Sequence, residues 1–249
     1  MYHFFVEPDQ IDVTAKTVTI QGADFNHIKN VLRMRQGEEL SVSNGIDGRE
    51  YRCAIRAFLE DSVDLELRFI KEDGVELPSK VYLFQGLPKS DKMETVIQKA
   101  VELGVYEVIP VSMSRSIVKL DEKKAVARVA RWQQIAEAAA KQSKRSIVPV
   151  IHSLIGFREA IEYAADLDVK LIPYEMAEGM ARTREIIEKI SSGQSIAIVI
   201  GPEGGIDDNE LKLAVQAGFE PITLGKRILR TETAGMTVMS ILMYHLESD

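Results

Sequence analysis

Apolar and polar residues alternate with a period of two along much of the first 70 or so positions, the pattern of half-buried strands. Val63, Leu65, Leu67 and Phe69 point one way, and Asp64, Glu66 and Arg68 the other. Further short, β-rich runs occupy residues 4–6, 17–20, 39–43 and 51–58. Asn44-Gly45 and Asp47-Gly48 are turn dipeptides between two of them. One helix interrupts the strands, with Asp24 at its N-cap and Phe25, Ile28 and Leu32 on one face. Short strands at this spacing suggest a small barrel.

Residues 71–79 are polar, contain Gly74 and Pro78, and read as a linker. Beyond them the period changes. A strand at 81–85 leads to a helix with Asp91 and Glu94 at its start and Met93, Val96, Ile97, Ala100 and Val101 on its apolar face. Gly104 ends that helix and a second strand follows at 105–111, completing a β-α-β unit. A long helix spans 122–142, and strands fall near 148–151, 169–173, 195–200 and 221–224. Helices lie between them, and a last one runs over 231–246. The alternation predicts an α/β domain, 73–249, with a mostly parallel sheet covered on both faces, after a β-barrel domain at 1–72.

Ile196 to Ile200 is a continuous apolar run that enters Gly201-Pro202-Glu203-Gly204-Gly205, with Asp207 or Asp208 capping the next helix. Three glycines let backbone approach a ligand and offer unobstructed N–H groups, and ligands in such sheets bind at the C-terminal ends of strands. The loop is neither a Walker motif nor a dinucleotide fingerprint, and a glycine-rich turn with no ligand explains it nearly as well. Two other strand ends open on the same edge: Pro173-Tyr174-Glu175, and the segment 224–234. The latter sets Lys226, Arg227 and Arg230 beside Thr231 and Glu232 at a helix start, where the helix dipole disfavours cations. An ion pair between Arg230 and Glu232 accounts for this, and so does a positive mouth that receives a phosphate backbone.

Composition narrows the function classes. Cys53 is the single cysteine, which removes a disulfide framework and fits a reducing compartment. No signal-like or membrane-spanning apolar run occurs, so a cytoplasmic protein is expected. The net charge is −7, yet residues 86–145 hold twelve Lys and Arg against seven Asp and Glu. Phosphate contacts are local, so this excess marks an RNA-facing surface as well as it marks solvated helix faces. His3, His27, His152 and His245 show no metal-ligand spacing, so no metal is expected, and no Gly-x-Ser-x-Gly elbow is present.

The glycine-rich loop, together with Leu224-Gly225-Lys226-Arg227-Ile228-Leu229-Arg230-Thr231-Glu232-Thr233-Ala234, resembles the RsmE-type methyltransferases of 16S ribosomal RNA, of the SPOUT superfamily. Gln85 to Lys89 with Lys92 to Glu94, Gln98 to Gly104, Arg131-Trp132, and Glu137 to Arg145 resemble the same family. The N-terminal Phe4-Phe5-Val6 and His27-Ile28 with Val31-Leu32-Arg33 resemble its PUA-like RNA-binding barrel, with His3 where the family often has Arg.

The resemblance implies a homodimer, a trefoil-knotted C-terminal domain, and methylation of uridine N3 in the small ribosomal subunit. It implies S-adenosylmethionine held by Pro173, Tyr174, Ile200, Gly201, Pro202, Glu203, Gly204, Gly205, Leu224, Gly225, Ile228, Leu229, Thr233 and Ala234. Arg230 and Glu232 are the catalytic candidates: a cation to stabilise the uracil anion or hold a phosphate, and a base or an orienting carboxylate. Lys29, Arg33, Arg35, Lys89, Arg115, Arg128, Arg131, Lys141 and Arg145 are the candidate RNA contacts, with Lys123, Lys124 and Lys144 beside them on the basic surface. Two other classes compete. A non-catalytic RNA-binding or ribosome-assembly factor leaves the three-loop constellation unexplained, and a phosphate-ester enzyme lacks the Walker lysine.

Overall fold

The computed structural model describes residues 1–72, 74–177 and 179–247. It divides into two compact units, Met1–Glu76 with Ala140–Val148, and Leu77–Ala139 with Pro149–Asp249.

In the first unit, β1 (His3–Phe5), β2 (Ile11–Asp12), β3 (Thr17–Gln21), β4 (Glu39–Ser43), β5 (Glu50–Phe58) and β6 (Ser62–Lys71) form one sheet in the order β1-β4-β5-β6-β3-β2. β1 runs parallel to β4 and the other pairs are antiparallel. The ladder is open, with β1 and β2 at its ends, but residues from all six strands share one apolar cluster that includes Phe4, Ile20, Leu40, Ile55 and Leu65. A sheet whose two edges share a core must curl. Alternation holds for Val63, Leu65 and Leu67, which are buried, and then fails, because Phe69 is 59% exposed. The cause is a bulge: Arg52 pairs with Phe69 while Cys53 pairs with Leu67, so β6 carries one extra residue and its faces exchange. Beyond it Ile70, not Phe69, packs on the cluster.

α1 (Gly22–Asn26) continues into a π-helical turn over His27–Val31. Its N-cap is Gln21, so Asp24 sits inside the first turn rather than capping it. The polar segment after β6 is more than a linker. Glu76 accepts hydrogen bonds from the backbone of Ser146 (2.9 Å) and Ile147 (3.0 Å) and pairs with the Arg145 guanidinium, whose Nε lies 3.0 Å away. These contacts bind residues 140–148 into the first unit.

The second unit is built on β7 (Lys80–Gly86), β8 (Glu107–Ser112), β9 (Val150–Ile151), β10 (Ile155–Gly156), β11 (Val169–Pro173), β12 (Ser195–Ile200) and β13 (Glu220–Ile222). Every pair is parallel, in the order β10-β8-β7-β12-β11-β13, with β9 also on β8. The central position of β12 explains its unbroken apolar run, since Ile196 to Ile200 are all buried. The helices are α2 (Lys92–Glu102), α3 (Glu122–Ser143), α4 (Phe157–Tyr163), α5 (Met180–Glu188), α6 (Asp208–Gln216) and α7 (Thr231–Leu246).

Asp207 caps α6, accepting from the Asn209 N–H, and Glu210 completes a capping box. Asp91 occupies the N-cap of α2 without a side-chain capping bond. α7 buries Thr231, Gly235, Val238, Met239, Leu242 and Leu246, one face at helical spacing, and packs against α2 and β12. Among the described residues no helix is long and apolar enough to cross a membrane.

Candidate active site

A sheet with all strands parallel sends the C-terminal ends of β7, β11, β12 and β13 to one edge. There the segments 173–175, 200–206 and 223–231 line a cleft of about 570 Å³, joined by Lys92, Arg115 and Ala234. Two glycines permit this packing. A Cβ on Gly201 would lie 2.8 Å from Ile206 Cγ1, and one on Gly204 only 2.9 Å from the Arg115 carbonyl oxygen. The loops are also bolted to the last helix: Thr231 Oγ1 donates to the Gly201 carbonyl at 2.6 Å and accepts from Gln85 Nε2 at 2.9 Å. Gln85 is wholly buried, so this bond is shielded from water.

The polar wall centres on Lys92, the first residue of α2. Its Nζ is 3.0 Å from Glu203 Oε1 and 3.4 Å from Glu232 Oε2. Glu203 also accepts from the Lys89 backbone N–H, at 3.0 and 3.2 Å to its two oxygens. Burial works to raise the Glu203 carboxyl, but the hydrogen bonds from Lys92 and Lys89 prevail and hold it below its usual range. The Glu203 bond, and the charge of Glu203 and Glu232, hold the Lys92 ammonium above its usual value despite the opposing effect of desolvation. Glu232 Oε2 is buried and makes no hydrogen bond, its separation from Lys92 being that of an ion pair without alignment. Arg115 also lines the cleft, 3.7 Å from Asp207 and 3.9 Å from Asp208.

The cleft fits a nucleoside-bearing cofactor such as S-adenosylmethionine. Its volume lies in the range of about 300–1,000 Å³ typical of small-molecule sites. Ile200, Leu224, Ile228 and Leu229 give it apolar walls. Among the described residues, the backbone groups of Ile228 and Leu229 make no hydrogen bond within the protein, which leaves donors and acceptors for the edge of a base.

Of the residues expected at the cofactor, all but Thr233 border the cleft; Thr233 is exposed on the first turn of α7. Arg230 is exposed at the N-cap of α7, and of the two readings of its position the ion pair with Glu232 does not form. Lys92 takes that carboxylate instead, because α2 packs against α7. Lys92 was not among the site residues expected above, and its one mark in the sequence is a misplaced charge at a helix N-terminus.

The candidate RNA contacts divide. Lys29, Arg33, Arg35, Lys89 and Arg128 are exposed. Arg131 is exposed but paired with Glu94 at 2.8 Å, and Lys141 with Asp24 at 3.1 Å. Arg115 faces the cleft. Arg145 is 4% exposed and committed to Glu76, which makes it a structural group of the first unit rather than a phosphate contact. His3 is half-buried, its Nδ1 2.9 Å from Ser41 Oγ. Among the described residues no cluster could hold a metal ion.

Comparison with known proteins extends this picture. A family model for the RNA methyltransferase domain matches residues 75–243, and one for the RNA methyltransferase PUA domain matches residues 20–67. The chain is 36% identical to the ribosomal RNA small subunit methyltransferase E of Bacillus subtilis, over 99% of this chain and 98% of that one. It is 34% identical to the protein of the same name from Mesomycoplasma hyopneumoniae, over 96% and 98%. Among solved structures, the ribosomal RNA small subunit methyltransferase E from Neisseria gonorrhoeae bound to S-adenosyl methionine is similar at a TM-score of 0.81, with 32% identity over 96% of this chain and 95% of that one. A putative methyltransferase from Legionella pneumophila in complex with the same cofactor aligns at 0.80, with 30% identity over 97% of each chain.

Proposed function

We propose, from the premise that this chain belongs to the RNA methyltransferase family, that it transfers a methyl group from S-adenosylmethionine to N3 of a uridine in 16S ribosomal RNA. The observation that carries this reading is the three-loop cleft, lined by apolar and charged side chains together, at the C-terminal edge of the parallel sheet. The cofactor supplies an already activated methyl group, so the protein's task is to position and to manage charge. Ile200, Gly201, Leu224, Gly225, Ile228 and Leu229 hold it. Uridine N3 carries a proton that must leave, and Glu232, whose carboxylate lies 3.4 Å from the Lys92 ammonium beside the cleft, accepts it. Arg230 at the mouth grips the target nucleotide.

The target base must leave its stack to reach the cleft, at a cost of a few kcal/mol. The N-terminal unit, residues 1–76 with 140–148, is the PUA-like part and the other unit the catalytic one; the former and the exposed cations of α3 bind the surrounding RNA. The reading includes a SPOUT-type trefoil knot through which α7 passes, action in the cytoplasm on the assembled small subunit, and a homodimer. Met236, Thr237, Ser240, Ile241 and Tyr244 outline a shallow hollow on the second face of α7 that suits a second copy.

Calorimetry with S-adenosylhomocysteine tests the first step, and absence of binding to the purified protein sinks the reading. Arg230→Ala is expected to abolish transfer to small subunits while cofactor affinity stays within about threefold, since a group at the mouth acts on the nucleotide. Loss of cofactor binding in that variant would move Arg230 into the cofactor pocket. Mass spectrometry of 16S RNA from a deletion strain, searching for a lost methyluridine, identifies the product.

A further inference from the structure

We propose that Lys92 is a catalytic residue of this reaction, the cation that carries the negative charge of the uracil ring once N3 has lost its proton. The inference rests on the uridine reading above and deepens it by assigning the electrophile.

Three elements converge on the Lys92 ammonium: its own helix α2, the glycine-rich loop through Glu203, and the first turn of α7 through Glu232. The two carboxylates are not equivalent. Glu203 is filled, with Oε1 taken by Lys92 and the Lys89 N–H and Oε2 by the Lys89 N–H. It serves as the anchor that fixes Lys92 in the cleft. Glu232 offers a buried oxygen with no hydrogen bond, 3.4 Å from the same ammonium. An ammonium has three N–H donors, and Glu203 takes one.

This arrangement couples the two charges. When the N3 proton moves to a Glu232 oxygen, that carboxylate becomes neutral and its hold on Lys92 lapses. The electron pair left on N3 spreads onto the ring carbonyl oxygens, which are new acceptors for the freed ammonium. Charge is conserved within the cleft, and one cation serves first the base and then the uracil anion. A cation preset in a partly desolvated cleft stabilises such an anion without reorganisation at the moment of reaction. The fixed negative partner accounts for a lysine at a helix N-terminus, where the helix dipole alone would disfavour it.

The test compares Lys92→Met with wild type on small subunits reconstituted from uridine or 5-fluorouridine 16S transcripts. Fluorine acidifies N3–H and stabilises the anion without help from the protein. We expect single-turnover methyl transfer by Lys92→Met to fall about 100-fold or more on the uridine substrate, the scale of losing one preset electrophile. On the 5-fluorouridine substrate the defect should shrink at least tenfold, while S-adenosylhomocysteine affinity measured by calorimetry stays near wild type. A defect equal on both substrates makes Lys92 merely structural and overturns the proposal, as does wild-type activity in the variant. If Lys92→Met folds poorly, Glu203→Gln, which loosens the anchor but keeps the ammonium, gives the same comparison, and its defect should be smaller and again substrate-dependent. Wild-type protein that methylates neither substrate refutes the uridine reading itself, an outcome distinct from those above.

Discussion

Gly204 has no room for a side chain, because the Arg115 carbonyl would lie 2.9 Å from its Cβ. Gly204→Ala must therefore push backbone against backbone and displace the loop. We expect S-adenosylhomocysteine affinity to fall at least about tenfold, 1.4 kcal/mol, with only a small loss of melting temperature. Unchanged affinity in calorimetry would remove this loop from the cofactor wall. His3 gives a second residue-scale prediction. Burial lowers its pKa below 6.5, against a raising effect of Glu50, so the folded state favours the neutral ring. Its contribution is complete above pH 6.5 and declines as the pH falls through that value toward the depressed folded pKa. Urea midpoints measured from about pH 7 down to about pH 5 should drop for wild type, and His3→Gln should remove part of the slope. If the variant keeps the full slope, His3 is not its source. The glycines were half legible at this scale, since their spacing after a buried strand fits a ligand loop and a ligand-free turn nearly equally. Lys92 showed only as a charge out of place at a helix N-terminus, because its partners lie 111 residues away at Glu203 and 140 away at Glu232, a separation that no local pattern records.

Among the elements, α7 spends one face on α2, β12 and α5, while Met236, Ile241 and Tyr244 lie on another. Ile241, in the hollow on the other face, tests what the second is for. If the proposed homodimer uses this face, Ile241→Glu should give a monomer in sedimentation while its fold, judged by circular dichroism, persists. A dimer that survives this change excludes this face as the interface. The periodicity of the chain located α2, α3, α7 and the long strands, because each puts an unambiguous stripe or run against a core. The strand expected near 148–151 holds β9, but β10, two residues long, is too short to show any period. The periodicity also misplaced Phe69, because a single extra residue in β6 exchanges the faces and leaves no mark in the composition.

For the molecule as a whole, net charge and local charge oppose each other, and RNA affinity should report the local one. If the exposed cations of α3 and the first unit contact phosphates, log affinity should fall linearly with log salt, with a slope of about −0.7 to −0.9 per contact. A flat response in filter binding between about 50 and 200 mM salt would make those cations plain solvated surface. The alternation of strands and helices gave the α/β class, whereas the open ladder of the first unit and the order of the seven strands depend on long-range pairing.

The same holds for the composition of the first unit, which has a consequence for biosynthesis. Glu76 emerges from the ribosome about 70 residues before Arg145, its ion-pair partner. At roughly 5–20 residues per second that is a wait of about 4–14 s. During that interval the first unit lacks the segment that satisfies its carboxylate, and most of α2, β8 and α3 is synthesised meanwhile. Nascent chains released before residue 148 should therefore be the ones most readily degraded.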